Sequence, residues 1–300
     1  MTVKPYLLVR CCSIAALLLL TQTGLSQNLT FGDIEKLPST PADHRIAYGS
    51  DPAQFGDLRL PNGKGLHPVA IIIHGGCWYS EYDLNYMASF AGALTRLGVA
   101  TWNIEYRRIG NAGGGWPGTF EDVARATDFL NVLARSYPLD LRRVIVVGHS
   151  AGAQLALWLA ARRRLPEDSP LHSSNPLSLQ GVISLAGITD MRRYRPNCGN
   201  AVSKLLGGSP EEVALRYQQT SPVELLPLNV RQYLIHGNRD EIVPSNFSQD
   251  YEVAARNKGI KVQLAIIKDA GHFELVAPQS SAWPTIKSAV RSLLKPGKIQ

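Results

Sequence analysis

The sequence predicts an α/β fold: a mostly parallel central sheet of about eight strands with helices on both faces. Three observations predict it. Short β-branched runs such as VAIIIH and RRVIVV alternate with Ala- and Leu-rich segments of ten residues or more along the 300-residue chain. Those runs show little polar alternation, which is the pattern of strands buried on both faces, and the longer segments can cross between parallel strands as helices. No charged or low-complexity linker interrupts the alternation, so residues 27–300 read as a single domain.

Taken in order, strands are expected at residues 45–48, 58–60, 69–74, 100–106, 143–147, 181–186, 231–235 and 261–268. Helices are expected between them at about residues 84–97, 120–136, 151–163, 247–258 and 283–294. In such a sheet ligands bind beyond the C-terminal ends of the strands. Two segments break the rhythm. IGNAGGGWPG, residues 109–118, is too flexible for an element and lacks the Gly-Lys-Ser/Thr ending of a phosphate loop, leaving a mobile surface loop or a pocket rim. Residues 192–222 hold one or two short helices, with a start at Ser209-Pro210-Glu211-Glu212, and form a small cap insertion at most.

Composition removes several classes. The formal charge is +7, but part of it is Lys4 and Arg10 and the rest is scattered, so no basic stripe suited to nucleic acid is present. Residues 1–26 have the form of a secretory signal peptide: two early positive charges, an apolar stretch from Cys11 to Leu20, then small and polar residues around Gly24 and Ser26. The apolar stretch falls short of the roughly 20 residues of a spanning helix, so the mature protein is expected to be secreted or periplasmic without stable membrane insertion. Cys77 and Cys198 remain after the leader. They are expected as buried free thiols, since a domain of this size needs no staple. No H-E-x-x-H or Cys-x-x-Cys spacing remains, and neither a metal nor a cofactor is expected.

The chemistry concentrates at four strand ends. In VVGHSAGAQ a β-branched run passes directly into an Ala- and Leu-rich segment, with Ser150 between Gly148 and Gly152. Many G-x-S-x-G matches are ordinary turns. The strand-then-helix setting is what marks a nucleophile elbow, in which the serine hydroxyl projects above the sheet at a helix N-terminus. Asp240 follows the run YLIHGNR, and His272 follows IIKDAG. An isolated Asp or His in such a loop is usually a turn or surface residue, but the order Ser, Asp, His, each after its own strand, fits a catalytic triad. A neutral imidazole, with an ordinary pKa near 6.5, takes the proton of a weakly nucleophilic hydroxyl, and a carboxylate orients the ring. Glu241 is the nearest rival to Asp240. The paired glycines of AIIIHGGCW let backbone N–H groups face a developing oxyanion, which assigns that role to Gly76 or Cys77 and to Ala151, with His74 as a structural hydrogen-bonding residue.

Together HGGCW, GHSAG, HGNRDEIVP and DAGHFEL, in this order, resemble the α/β-hydrolase superfamily over nearly all of the mature chain. Within it the His74 to Trp78 loop and the EYRR strand end, residues 105–108, are similar to the kynurenine formamidase and small-carboxylesterase branch. The resemblance implies a serine hydrolase that forms an acyl-enzyme without a cofactor and acts on small-molecule esters, with aryl formamides or peptides as alternatives. Cys77 departs from the third glycine or tyrosine of the family pattern, and the leader departs from a cytosolic formamidase. Trp78, Trp116 and His149 are expected to line a compact pocket suited to small or aromatic groups. A catalytically inactive binding protein of the same fold is the rival from another class; retention of all three triad residues argues against it.

Overall fold

The computed structural model describes residues 1–2 and 28–295. The signal peptide expected at residues 1–26 therefore lies outside the described residues, save for Met1 and Thr2. Among the described residues eight strands form one sheet: β1 His44–Ala47, β2 Phe55–Arg59, β3 His67–Ile73, β4 Ala100–Ile104, β5 Leu139–His149, β6 Gly181–Leu185, β7 Arg231–Gly237 and β8 Val262–Ile267. Their spatial order is β1-β2-β4-β3-β5-β6-β7-β8. β2 runs antiparallel to both of its neighbours, and β3 to β8 pair parallel with one another and with β4.

Side chains of the central strands divide between the two faces with period two. Ile71, Ile73, Val144 and Val146 pack into one core layer, while Ala70, Ile72, Ile145 and Val147 pack into the other. This is why neither strand shows polar alternation. The helix Ala151–Ala161 follows β5 directly and is buried along almost its whole length. Its single polar side chain, Gln154, accepts a hydrogen bond from Trp78 Nε1 at 3.2 Å and donates to the Thr220 carbonyl at 2.8 Å.

The departures from expectation have local causes. β2 begins at Phe55 rather than residue 58, because cross-strand pairing with Arg45, whose guanidinium donates to both Asp57 oxygens, keeps Asp57 in the ladder. β5 begins at Leu139 rather than residue 143; a shift of register between Pro68 and Val69 absorbs the extra residues. A short helix, Phe31–Glu35, precedes β1 under a Thr30–Asp33 capping box and was not expected. The insertion holds three short helices, Met191–Tyr194, Ala201–Leu206 and Ala214–Thr220. Ser209 starts none of them directly: its N–H donates to Glu212 at 2.7 Å in the turn before the third. Among the described residues no helix is long and apolar enough to cross a membrane.

The expectation of free thiols is corrected. Cys77 and Cys198 form a disulfide with a Cα–Cα distance of 6.2 Å across a separation of 121 residues. Core size does not bear on this bond, since it ties the loop after β3 to the insertion, two segments on the outer end of the sheet. By restricting the unfolded chain, a cross-link of this span contributes about 5 kcal/mol.

Candidate active site

The turn from β5 into the helix Ala151–Ala161 admits glycine alone at two positions. A Cβ on Gly148 would lie 2.1 Å from the Gly152 carbonyl oxygen, and one on Gly152 would lie 2.2 Å from that of Ile73. Between them Ser150 is forced to φ 56° and ψ −122°, a conformation that costs a non-glycine residue on the order of 1–3 kcal/mol. Its N–H donates to the Leu185 carbonyl of β6 at 2.9 Å. The side chain makes no capping hydrogen bond, so the hydroxyl is not committed to the helix it precedes.

The loops after β7 and β8 bring Asp240 and His272 together. His272 Nδ1 donates to Asp240 Oδ2 at 2.7 Å, which leaves Nε2 as the basic nitrogen of the neutral ring. The other oxygen, Oδ1, accepts from the backbone N–H groups of Ile242 at 2.9 Å and Val243 at 2.8 Å. Burial by itself would raise the Asp240 pKa, but hydrogen bonding to His236 and His272 holds it below the usual carboxylate range. Glu241 is exposed, and the structure places Asp240, not Glu241, on His272. The loop that carries His272 is itself anchored: Glu274 accepts from the Leu29 N–H at 2.6 Å and from the Gly271 N–H at 2.9 Å.

Ser150 and His272 line one cavity of about 220 Å³ together with Gly76, Cys77 and His149. Gly76 at φ 96° and Cys77 at φ 50° form a left-handed turn, and a Cβ on Gly76 would lie 2.3 Å from Tyr82. Ala151 opens the helix, and its N–H is among those a helix leaves without an internal partner. The expected site residues Ser150, Asp240, His272, Gly76, Cys77, Ala151 and His149 are thus gathered at one end of the sheet. His74 lies beneath them, with Nε2 2.9 Å from Glu105 and Nδ1 2.9 Å from the Gly75 carbonyl.

The two tryptophans are corrected. Trp78 is fully buried in the core, turned inward to bond Gln154. Trp116 lies away from the cavity: its backbone N–H donates to the Leu205 carbonyl at 2.7 Å and its ring packs on Phe120, so the glycine-rich loop is pinned to the insertion. The cavity wall is instead Phe31, Tyr82, Tyr86, Ile242, Phe273 and Cys198. Phe273 and the two tyrosines stand within a few residues of recognised motifs, and that nearness was the available signal. Phe31 carries none, because it reaches the site from a segment ahead of the first strand.

A strained serine where a parallel strand enters a helix, with a His–Asp pair carried by the last two strands, is the architecture of an α/β hydrolase. The chain belongs to the BD-FAE family, whose model matches residues 57–254. It is 25% identical over 246 residues to an isoprenylcysteine alpha-carbonyl methylesterase of Arabidopsis thaliana, covering 77% of this chain and 56% of that protein. A kynurenine formamidase of Aspergillus versicolor is 36% identical over 137 residues, 41% of this chain and 44% of that one. Thus the chain spans about half the length of the curated relatives it matches. Among solved structures, a truncated carbohydrate esterase from gut microbiota superposes with a TM-score of 0.73 at 21% identity, over 85% of this chain and 99% of that one.

Proposed function

We propose that this protein is an exported serine esterase that cleaves short-chain or aryl carboxylic esters through Ser150, His272 and Asp240. The observation that carries the reading is the 2.7 Å bond from His272 to a buried carboxylate, with His272 and the strained Ser150 on the same small cavity. Ser150 Oγ attacks the ester carbonyl while His272 Nε2 takes its proton, and the tetrahedral oxyanion is met by the N–H groups of Ala151 and of Gly76 or Cys77. The imidazolium, stabilised by Asp240, returns the proton to the departing alcohol. Water then repeats the sequence on the acyl-enzyme and frees the acid.

Size supports small substrates. The cavity of about 220 Å³ lies below the roughly 300–1,000 Å³ of drug-sized ligand pockets, and its insertion wall is closed by the disulfide. Aryl acetates and butyrates are therefore expected to be hydrolysed far faster than aryl palmitates in a chromogenic ester series. Palmitate turnover comparable to acetate would contradict the reading. Aryl formamides are a secondary substrate class, supported by the formamidase relative.

Export is supported by the leader pattern together with the disulfide, a bond that persists in oxidising compartments. Mass spectrometry of exported protein is expected to find an N-terminus near Gln27 and a Cys77–Cys198 cross-linked peptide. An intact Met1 chain retained in membranes, or free thiols at both positions, would contradict it.

A further inference from the structure

Three separate loops must hold their places for this chemistry: the glycine pair before the oxyanion donors, the elbow, and the loop of the base. One chain of hydrogen bonds runs through all three. The Gly75 N–H donates to the Tyr86 hydroxyl, the Tyr86 hydroxyl donates to His149 Nδ1 at 3.1 Å, and His149 Nε2 donates to the His272 carbonyl at 3.1 Å. Gly75 immediately precedes the candidate oxyanion residues, His149 immediately precedes the nucleophile, and His272 is the base itself. Tyr86 and His149 are buried and have no proton-transfer task in the mechanism above.

The donors and acceptors balance in one arrangement only. A backbone carbonyl takes a proton but gives none, so His149 must carry its proton on Nε2. Nδ1 is then an acceptor, and the tyrosine must donate to it, leaving the phenolic oxygen free to accept from Gly75. Burial, and after it the neighbouring His272 ring 4.5 Å away, hold the His149 pKa well below its ordinary value, which keeps the ring neutral and this arrangement in place. Gly75 is also pressed against the elbow: a Cβ there would lie 2.6 Å from the His149 carbonyl oxygen and 2.8 Å from Ser150 Cβ. The Gly75 N–H, being bonded to Tyr86, is not itself an oxyanion donor. Its bond sets the direction of the peptide that leads into Gly76 and Cys77.

We propose that Tyr86 and His149 are positioning residues, whose shared hydrogen-bond chain fixes the oxyanion loop and the base loop relative to Ser150. This rests on the reading of Ser150 as nucleophile. His149 also lines the cavity, so the positioning role is added to its expected place in the pocket and does not displace it.

The test compares Tyr86→Phe, His149→Gln, the double variant and Ser150→Ala with wild type on p-nitrophenyl acetate, with thermal melts to monitor folding. Removing one oxyanion donor outright costs about 10²–10³ in rate, so misaligning a donor through Tyr86→Phe is expected to lower kcat by about 10- to 100-fold with KM nearly unchanged. The double variant is expected to be little worse than the more damaged single one, because both break the same chain. Wild-type kcat in Tyr86→Phe, or a rise in KM alone, overturns the proposal. If Ser150→Ala is inactive in that same experiment, the nucleophile reading survives and only the positioning role falls; an active Ser150→Ala removes both. Should Tyr86→Phe not fold, ¹⁵N-histidine spectra of the wild-type protein decide: a non-titrating Nε2–H tautomer for His149 supports the chain, and an Nδ1–H tautomer overturns it.

Discussion

Ser150→Ala is expected to lower kcat for a short ester by several orders of magnitude, up to about 10⁶ if the three residues act as a unit. Alanine keeps the Cβ and the same φ, so the elbow is no more strained than before, and the hydroxyl it removes caps no helix. The melting temperature should therefore stay close to that of the wild type while turnover disappears. Steady-state kinetics beside a thermal melt check both halves. A folded Ser150→Ala protein with a wild-type rate would place the nucleophile elsewhere.

The second large effect belongs to Asp240→Asn, with an expected loss of about 10⁴ in kcat. Its direction follows from the hydrogen bonds on each oxygen. The N–H groups of Ile242 and Val243 both donate to Oδ1, so the amide oxygen of an asparagine must stay there and its NH₂ must face His272 Nδ1. The ring then accepts at Nδ1 and carries its proton on Nε2, the nitrogen that has to be free to take the proton of serine. Glu241→Gln, on an exposed side chain, should cost little. Kinetics of the two variants side by side check the assignment; the opposite ranking would transfer the orienting role to Glu241.

Much of this protein was legible in its sequence where the cause is local. The runs VAIIIH and RRVIVV read as strands because both faces of the sheet are covered, and the structure divides their side chains between two core layers. The elbow was legible because Gly148 and Gly152 stand where a Cβ would strike backbone, a requirement that shows as glycine in any sequence. Gathering Asp240 with His272 needed only chain order, since each follows a strand at the same edge. What stayed hidden depends on partners far apart in the chain. Asp57 looks unfit for a strand until Arg45 pairs with it across the hairpin. Trp78 looks like a pocket wall until Gln154, 76 residues on, draws its ring inward. Cys77 and Cys198 look like core thiols until the insertion folds back over the loop after β3. Nothing in the spacing of Gly75, Tyr86, His149 and His272 announces a hydrogen-bond chain, because no period of helix or strand connects them.

The central claim is that Ser150 is the nucleophile, and covalent capture tests it most directly. Protein treated with a fluorophosphonate should gain the mass of one adduct, lose esterase activity in step with labelling, and yield the modified residue as Ser150 on peptide mapping, with no adduct on Ser150→Ala. Inactivation with the adduct on another residue, or equal labelling of Ser150→Ala, would contradict the account.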